Sequence, residues 1–223
     1  MATRVQRINA LRGFCREFGL AVTVGARAGL HAISRLVADP ASALPSILRP
    51  AMSMLLEELT QLHQRIAQLE RELAQIARHS PACQLLLSIP GVGLLTATAL
   101  VAAIGTDVGH FRNGRQLAAW LGLTPREHSS GQTRRLGAIT RAGDRYLRTL
   151  LTHGARSVLQ AASRAQSAGR TCTGLRAWGL AVRQRTNQNK ATCALANKLA
   201  RICFATLRSG QPFDERRACK TAD

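Results

Sequence analysis

Apolar residues recur at three- and four-residue steps along much of this 223-residue chain, the period of helices that bury one face. In "RVQRINALRGFCREFGL", Val5, Ile8, Leu11 and Phe14 predict an amphipathic helix that begins with the first residues. Residues 31–50, with Ala, Pro and Ser, are weakly patterned and read as a connector ending near Pro50. From Met52 the steps alternate through Leu55, Leu59, Leu62, Ile66, Leu69, Leu73 and Ile76, an a/d seam sustained over three heptads. Glu57, Glu58, Arg65, Glu70, Arg71 and Glu72 lie outside that seam. It suits either an intramolecular helical hairpin or an intermolecular coiled coil, and Pro81 ends it.

The next stretch, "ACQLLLSIPGVGLLTATALVAAIG" over 82–105, is a short apolar helix, a Pro-Gly-Val-Gly turn and a second apolar helix. This spacing predicts a helix–hairpin–helix. Gly91 and Gly93 allow a tight turn, and the second helix offers free amides and its dipole to a phosphate oxygen. Gly91, Val92, Gly93 and Thr96 are therefore candidate DNA contacts; the alternative is a plain helical turn within a core.

"FRNGRQLAAWLGLTP" predicts a short helix closed by Gly122 and Pro125. Further on, Leu147, Leu151, Gly154 and Val158 share one face of a helix, with Arg145, Arg148, Thr152 and Arg156 forming a stripe beside it. A last helix over about 189–208 repeats the design: Leu195, Leu199 and Ile202 on one side, Lys190, Lys198, Arg201 and Arg208 close to one face. Residues 211–223 read as a disordered tail. The fold class expected is all-α, mainly helical, because Ala, Leu and Arg dominate and aromatics are only 4%.

Charge narrows the partner. The chain carries 31 Lys and Arg against 12 Asp and Glu, a formal net charge of +19. Over 110–208, eighteen basic residues face only Glu127 and Asp144. Basic stripes of one sign on two helices fit nucleic-acid backbone better than a membrane surface, which calls for one basic amphipathic helix with bulky aromatics. No transmembrane-length run or signal peptide is present, and the six cysteines are scattered without a C-x-x-C pair. They read as small buried hydrophobes in a reducing compartment, the cytoplasm.

The acids are too dispersed for a metal-dependent nuclease: four lie on the heptad segment and three in the last ten residues. The other chemical candidate is "HSSGQTRRLG" at 128–137. Ser129 or Ser130 could serve as a turn residue, a phosphate contact or a nucleophile. A serine nucleophile needs deprotonation and charge neutralisation at the phosphate, with His128, Arg134 and Arg135 close by in sequence.

Three segments in this order, "SIPGVGLLTATALVAAIG", "FRNGRQLAAWLGLTPREHSSGQTRRLGAITRAGDRYLRTLLTHGARSVL" and "NKATCALANKLARI", resemble the C-terminal transposase domain of the insertion sequence 110/116/902 family. The resemblance runs over about 1–213 and is dense between 85 and 160. It implies a DNA recombinase that inserts and excises a transposable element, guided by a bridge RNA. It implies a serine that attacks a DNA phosphodiester, with Ser130 the matching position and Ser129 the second choice. Arg134, Arg135, Arg141 and Gly143 fall where the family's basic, Gly-containing segment follows; Arg145, Arg148, Lys190, Lys198 and Arg201 complete the expected DNA-binding set.

The family also has a RuvC-like domain with an acidic Mg²⁺ site, for which this sequence shows no counterpart. The expected organisation is a helical remnant over 1–50, a coiled coil over 51–80 that makes a homodimer or larger assembly, and a transposase domain over 81–210. No metal is expected to bind this chain itself. The rival expectation is a catalytically incomplete protein that only grips DNA.

Overall fold

The computed structural model describes residues 2–133 and 135–215. The fold is mainly α, with one small antiparallel sheet. Two compact units divide the chain at Glu72 and Leu73.

In the first unit, α1 (Ala2–Glu17) and α2 (Ala26–Ala38) pack with the start of α3 (Arg49–His79). Ile8, Leu11, Cys15, Ile33, Leu44, Met52 and Leu59 form its core. The predicted face of α1 is present from Ile8 onward, whereas Val5 is exposed. Arg7 pairs with Glu58 at 2.8 Å, and Arg4 Nε donates to His63 Nε2 at 2.8 Å.

The connector expected over 31–50 is corrected here. Its first part belongs to α2, where Ile33 is fully buried, and a 3-10 turn (Ser46–Leu48) leads directly into α3. Pro50 lies in the first turn of α3, where a missing N–H costs nothing, so it opens a helix. Arg49 ties the loop down, its guanidinium donating to the carbonyls of Val37 and Asp39 at 2.9 and 2.7 Å.

The second unit holds α4 (Pro81–Leu87), α5 (Leu94–Ile104), α6 (Gly114–Trp120), β1 (Pro125–Glu127), β2 (Leu136–Ile139), α7 (Arg145–Ser167), α8 (Gly174–Arg185) and α9 (Gln188–Ser209). Side-chain caps set several starts: Ser80, Asn113, Asp144 and Asn187 each accept backbone N–H groups of the following turn. The core draws on α4 to α9, with Leu86, Leu100, Leu117, Leu121, Leu151, Leu159, Leu195 and Leu199 wholly buried. α9 begins and ends within a residue of the expected 189–208, and its Leu195 and Leu199 face the core as expected.

The tail expected from 211 is not free at its start. Phe213 packs on the core and its N–H donates to Ser88 Oγ at 2.8 Å, while Thr173 Oγ1 donates to Glu215 Oε2 at 3.4 Å. The remainder of that expectation, 216–223, lies outside the described residues. Cys15, Cys83 and Cys203 are buried; Cys172 and Cys193 are half-buried.

Candidate nucleic-acid interface

Residues 128–133 of the stretch "HSSGQTRRLG" lie at the tip of a β-hairpin formed by β1 and β2, with Pro125 opposite Ile139 and Glu127 opposite Leu136. Beyond the strands the pairing continues: His128 N–H donates to Arg135 O at 2.8 Å, and Ser130 and Thr133 exchange both backbone bonds at 3.2 and 3.1 Å. Gly131, at φ +56°, opens the two-residue loop, as such a loop requires. The strands are exposed on nearly every residue, so no apolar alternation marks them in the sequence.

The two serines are held differently. Ser129 Oγ donates to Glu127 Oε1 at 2.8 Å and accepts the Arg135 N–H at 3.2 Å. Ser130 supports the turn through its backbone, and its side chain is exposed at the tip. The His128 ring lies near Gly137 on the facing strand. Arg135 is exposed, and Arg134 lies outside the described residues.

The base of the hairpin is clamped by backbone against backbone. Gly122, at φ +68°, abuts Ala142, and Gly143, at φ +100°, abuts Trp120; a methyl at either would strike a carbonyl oxygen. Arg148 reinforces this closure, donating from Nη1 to Leu121 O at 3.1 Å and to the Asp144 and Gly143 carbonyls at 3.4 and 3.5 Å. Its guanidinium is thus turned onto the loop, whereas Arg145 at the start of α7 is exposed. Asn197 of α9 fastens the hairpin's approach, donating to Leu123 O at 3.2 Å.

Between β2 and α9 runs a groove of about 960 Å³. Arg115, Arg141, Lys190, Lys198 and Arg201 line it, and none of its described lining residues is Asp or Glu. Four of these five cations were expected from the sequence, and the fold gathers them from a loop and one helix face. Arg115 was not anticipated; Asn113 caps α6 and starts it against α9 at Gly114, which sets Arg115 beside Arg201. Trp178 of α8 also lines the groove, with Lys198 Nζ 4.7 Å from its ring centroid. An aromatic within the Arg-rich run "LRAWGLAVRQR" is the sequence signal that could have marked it.

The turn between α4 and α5 is placed elsewhere. Val92 and Thr96 are buried, and Gly91 packs on α7 at Gly154 and Val158. Gly93, the N-cap of α5, is exposed, with open space where a side chain would stand. Among the described residues no three His, Cys, Asp or Glu side chains converge as a metal site needs. Among them, no helix is long and apolar enough to cross a membrane.

The family model "Transposase IS116/IS110/IS902 family" matches residues 83–170, which include the turn, α6, the hairpin and α7. A probable family 20 transposase of Pseudomonas aeruginosa is 42% identical over 92% of this chain and 59% of its own length. The transposase for insertion sequence element IS1111A of Coxiella burnetii is 37% identical over 92% of this chain and 54% of its own. A pilin gene-inverting protein of Moraxella bovis is 31% identical over 60% of this chain and 39% of its own. The chain thus spans between half and two thirds of the length of the two transposases. Residues 83–170 are thus a transposase domain of the IS116/IS110/IS902 family, within a chain similar to these transposases over 92% of its length.

Proposed function

We propose that this chain is the DNA-gripping, serine-bearing part of an insertion-sequence recombinase, and that Ser130 is its nucleophile. The observation that carries the reading is the hairpin: one of its strands walls a groove lined by five cations, and its tip presents an exposed serine beside a tethered one. The cations neutralise a DNA backbone, and on this reading the tip serine attacks a phosphate of the strand they hold.

In the reaction, Ser130 Oγ attacks the phosphorus, its proton leaves to a base, and a phosphoserine bond replaces one P–O bond of the strand. The displaced strand hydroxyl takes up a proton. A DNA hydroxyl then attacks the phosphoserine, restoring the serine and joining the new strand. Ser129, bound to Glu127 and the Arg135 N–H, shapes the tip; it is the alternative nucleophile. On this reading the Mg²⁺-binding carboxylates come from a separate RuvC-like domain, and a bridge RNA selects the site. The Gly93 end of α5, in a helix–hairpin–helix, adds a backbone contact outside the groove. A second copy pairs through a coiled coil along α3, where Leu69 and Ile76 are 58% and 60% exposed.

The test supplies a RuvC-like domain with nicked DNA and looks for a denaturation-resistant protein–DNA adduct. Ser130→Ala should abolish it while DNA binding persists. Loss in Ser129→Ala alone would move the nucleophile by one residue. An adduct that survives both substitutions would overturn the serine assignment, and one that never forms in the wild type leaves the rival reading: a protein that grips DNA without chemistry.

A further inference from the structure

The groove between β2 and α9 combines two properties that a duplex does not use together. Its walls carry apolar surface from Pro125, Leu136, Ile139, Trp178 and Ala194, while Arg115, Arg141, Lys190, Lys198 and Arg201 supply charge. A duplex buries its base faces in the stack and offers mainly phosphates and base edges. An unpaired strand offers base faces for apolar and aromatic walls and phosphates for cations at the same time. Lys198 Nζ lies 4.7 Å from the Trp178 ring centroid, so a cation and an aromatic ring share one wall of the groove. A volume of about 960 Å³ lies within the range of about 300–1,000 Å³ of pockets that enclose small molecules, the scale of a few nucleotides.

We infer that this groove binds an unpaired segment of DNA, bases on the apolar wall and phosphates on the five cations. The occupant is DNA because the hairpin that walls the groove also carries the serine pair, so a strand lying there continues toward the tip. This rests on the reading of the chain as a recombinase, but its test requires binding alone.

The experiment measures affinity of the full chain for a dT oligonucleotide, a duplex matched in number of phosphates, and the same oligonucleotide as RNA, at one salt concentration. The single DNA strand should bind at least tenfold more tightly than either. Trp178→Leu should remove most of that preference and leave duplex affinity within about twofold. Because Trp178 also packs on the core, Leu136→Asp, at a half-exposed position on β2, is the second variant and should act alike. Equal affinity for strand and duplex would overturn the inference, as would variants that weaken both ligands equally or neither. Tighter RNA binding would overturn the assignment to DNA. If Leu136→Asp instead changed only the oligomeric state, the groove would be a protein interface and the inference would fail. An absent serine adduct with the strand preference intact would sink the nucleophile and keep the groove.

Discussion

A Cβ placed on Gly91 would stand 2.9 Å from the carbonyl oxygen of Gly154 and 2.7 Å from Val158 Cγ2. The turn before α5 and the middle of α7 therefore meet backbone to backbone, and both glycines are needed for that approach. Gly154→Ala puts the matter to a sign test. In an unobstructed helix interior the change stabilises by about 0.5–1 kcal/mol. Here the new methyl would strike Gly91 O, and the overpacking should cost about 1–3 kcal/mol, read as a lower denaturation midpoint. A gain in stability would show that the turn and α7 are not in contact.

Two glycines of the hairpin should respond unequally. Gly143→Ala drives a methyl into Trp120 O at a φ of +100°, so it should unfold the hairpin base and lower the thermal midpoint by several degrees. Gly131 is at φ +56° with open space where a side chain would stand, and Asn tolerates that backbone. Gly131→Asn should leave the stability within about 1 kcal/mol of wild type.

Neighbouring arginines on α7 should separate into a clamp and a contact. Arg148→Ala removes bonds to the Leu121, Gly143 and Asp144 carbonyls and should destabilise by about 1.5–3 kcal/mol. Arg145→Ala should leave stability nearly unchanged. If Arg145 meets a phosphate, its loss should reduce the log–log salt slope of DNA binding by about 1. A flat salt response in the wild type would count against backbone binding altogether.

Assembly through α3 should depend on its exposed seam residues. Leu69→Ser with Ile76→Ser should convert a dimeric or larger species to monomer in sedimentation at micromolar concentration, with little loss of helicity. Wild-type protein that sediments as a monomer would remove the coiled coil from the proposal.

Burial pushes the Cys203 thiol up from 9.0 to about 12. Below pH 9 the thiol is protonated in both folded and unfolded chains, so its contribution to stability is fully present. Between pH 9 and 12 the unfolded thiol ionises first, and that contribution is lost as pH rises. Cys203→Ala should flatten the fall in stability across this window, measured by denaturant titration at successive pH values. In native labelling at pH 8, Cys172 and Cys193 should react while Cys203 is protected until unfolding.

The sequence alone determined the helices that bury a leucine face, since a 3.6-residue apolar period survives in any tertiary setting: α3 and α9 begin and end within a few residues of where their apolar positions predict, and α7 contains its predicted leucine face. It also located Arg141, Lys190, Lys198 and Arg201 as excess charge, because few acids stand near them in the chain. Only the tertiary structure decided the rest. The hairpin at 125–139 has both faces exposed, so its strands leave no alternation to read, and its register comes from the Gly131 loop and the Gly122–Gly143 closure. The same fold set Arg115 beside Arg201, turned Arg148 onto carbonyls, and drew Gly91, Val92 and Thr96 toward the core. A residue's type announces what it can bind; the backbone that packs around it decides whether it is free to do so.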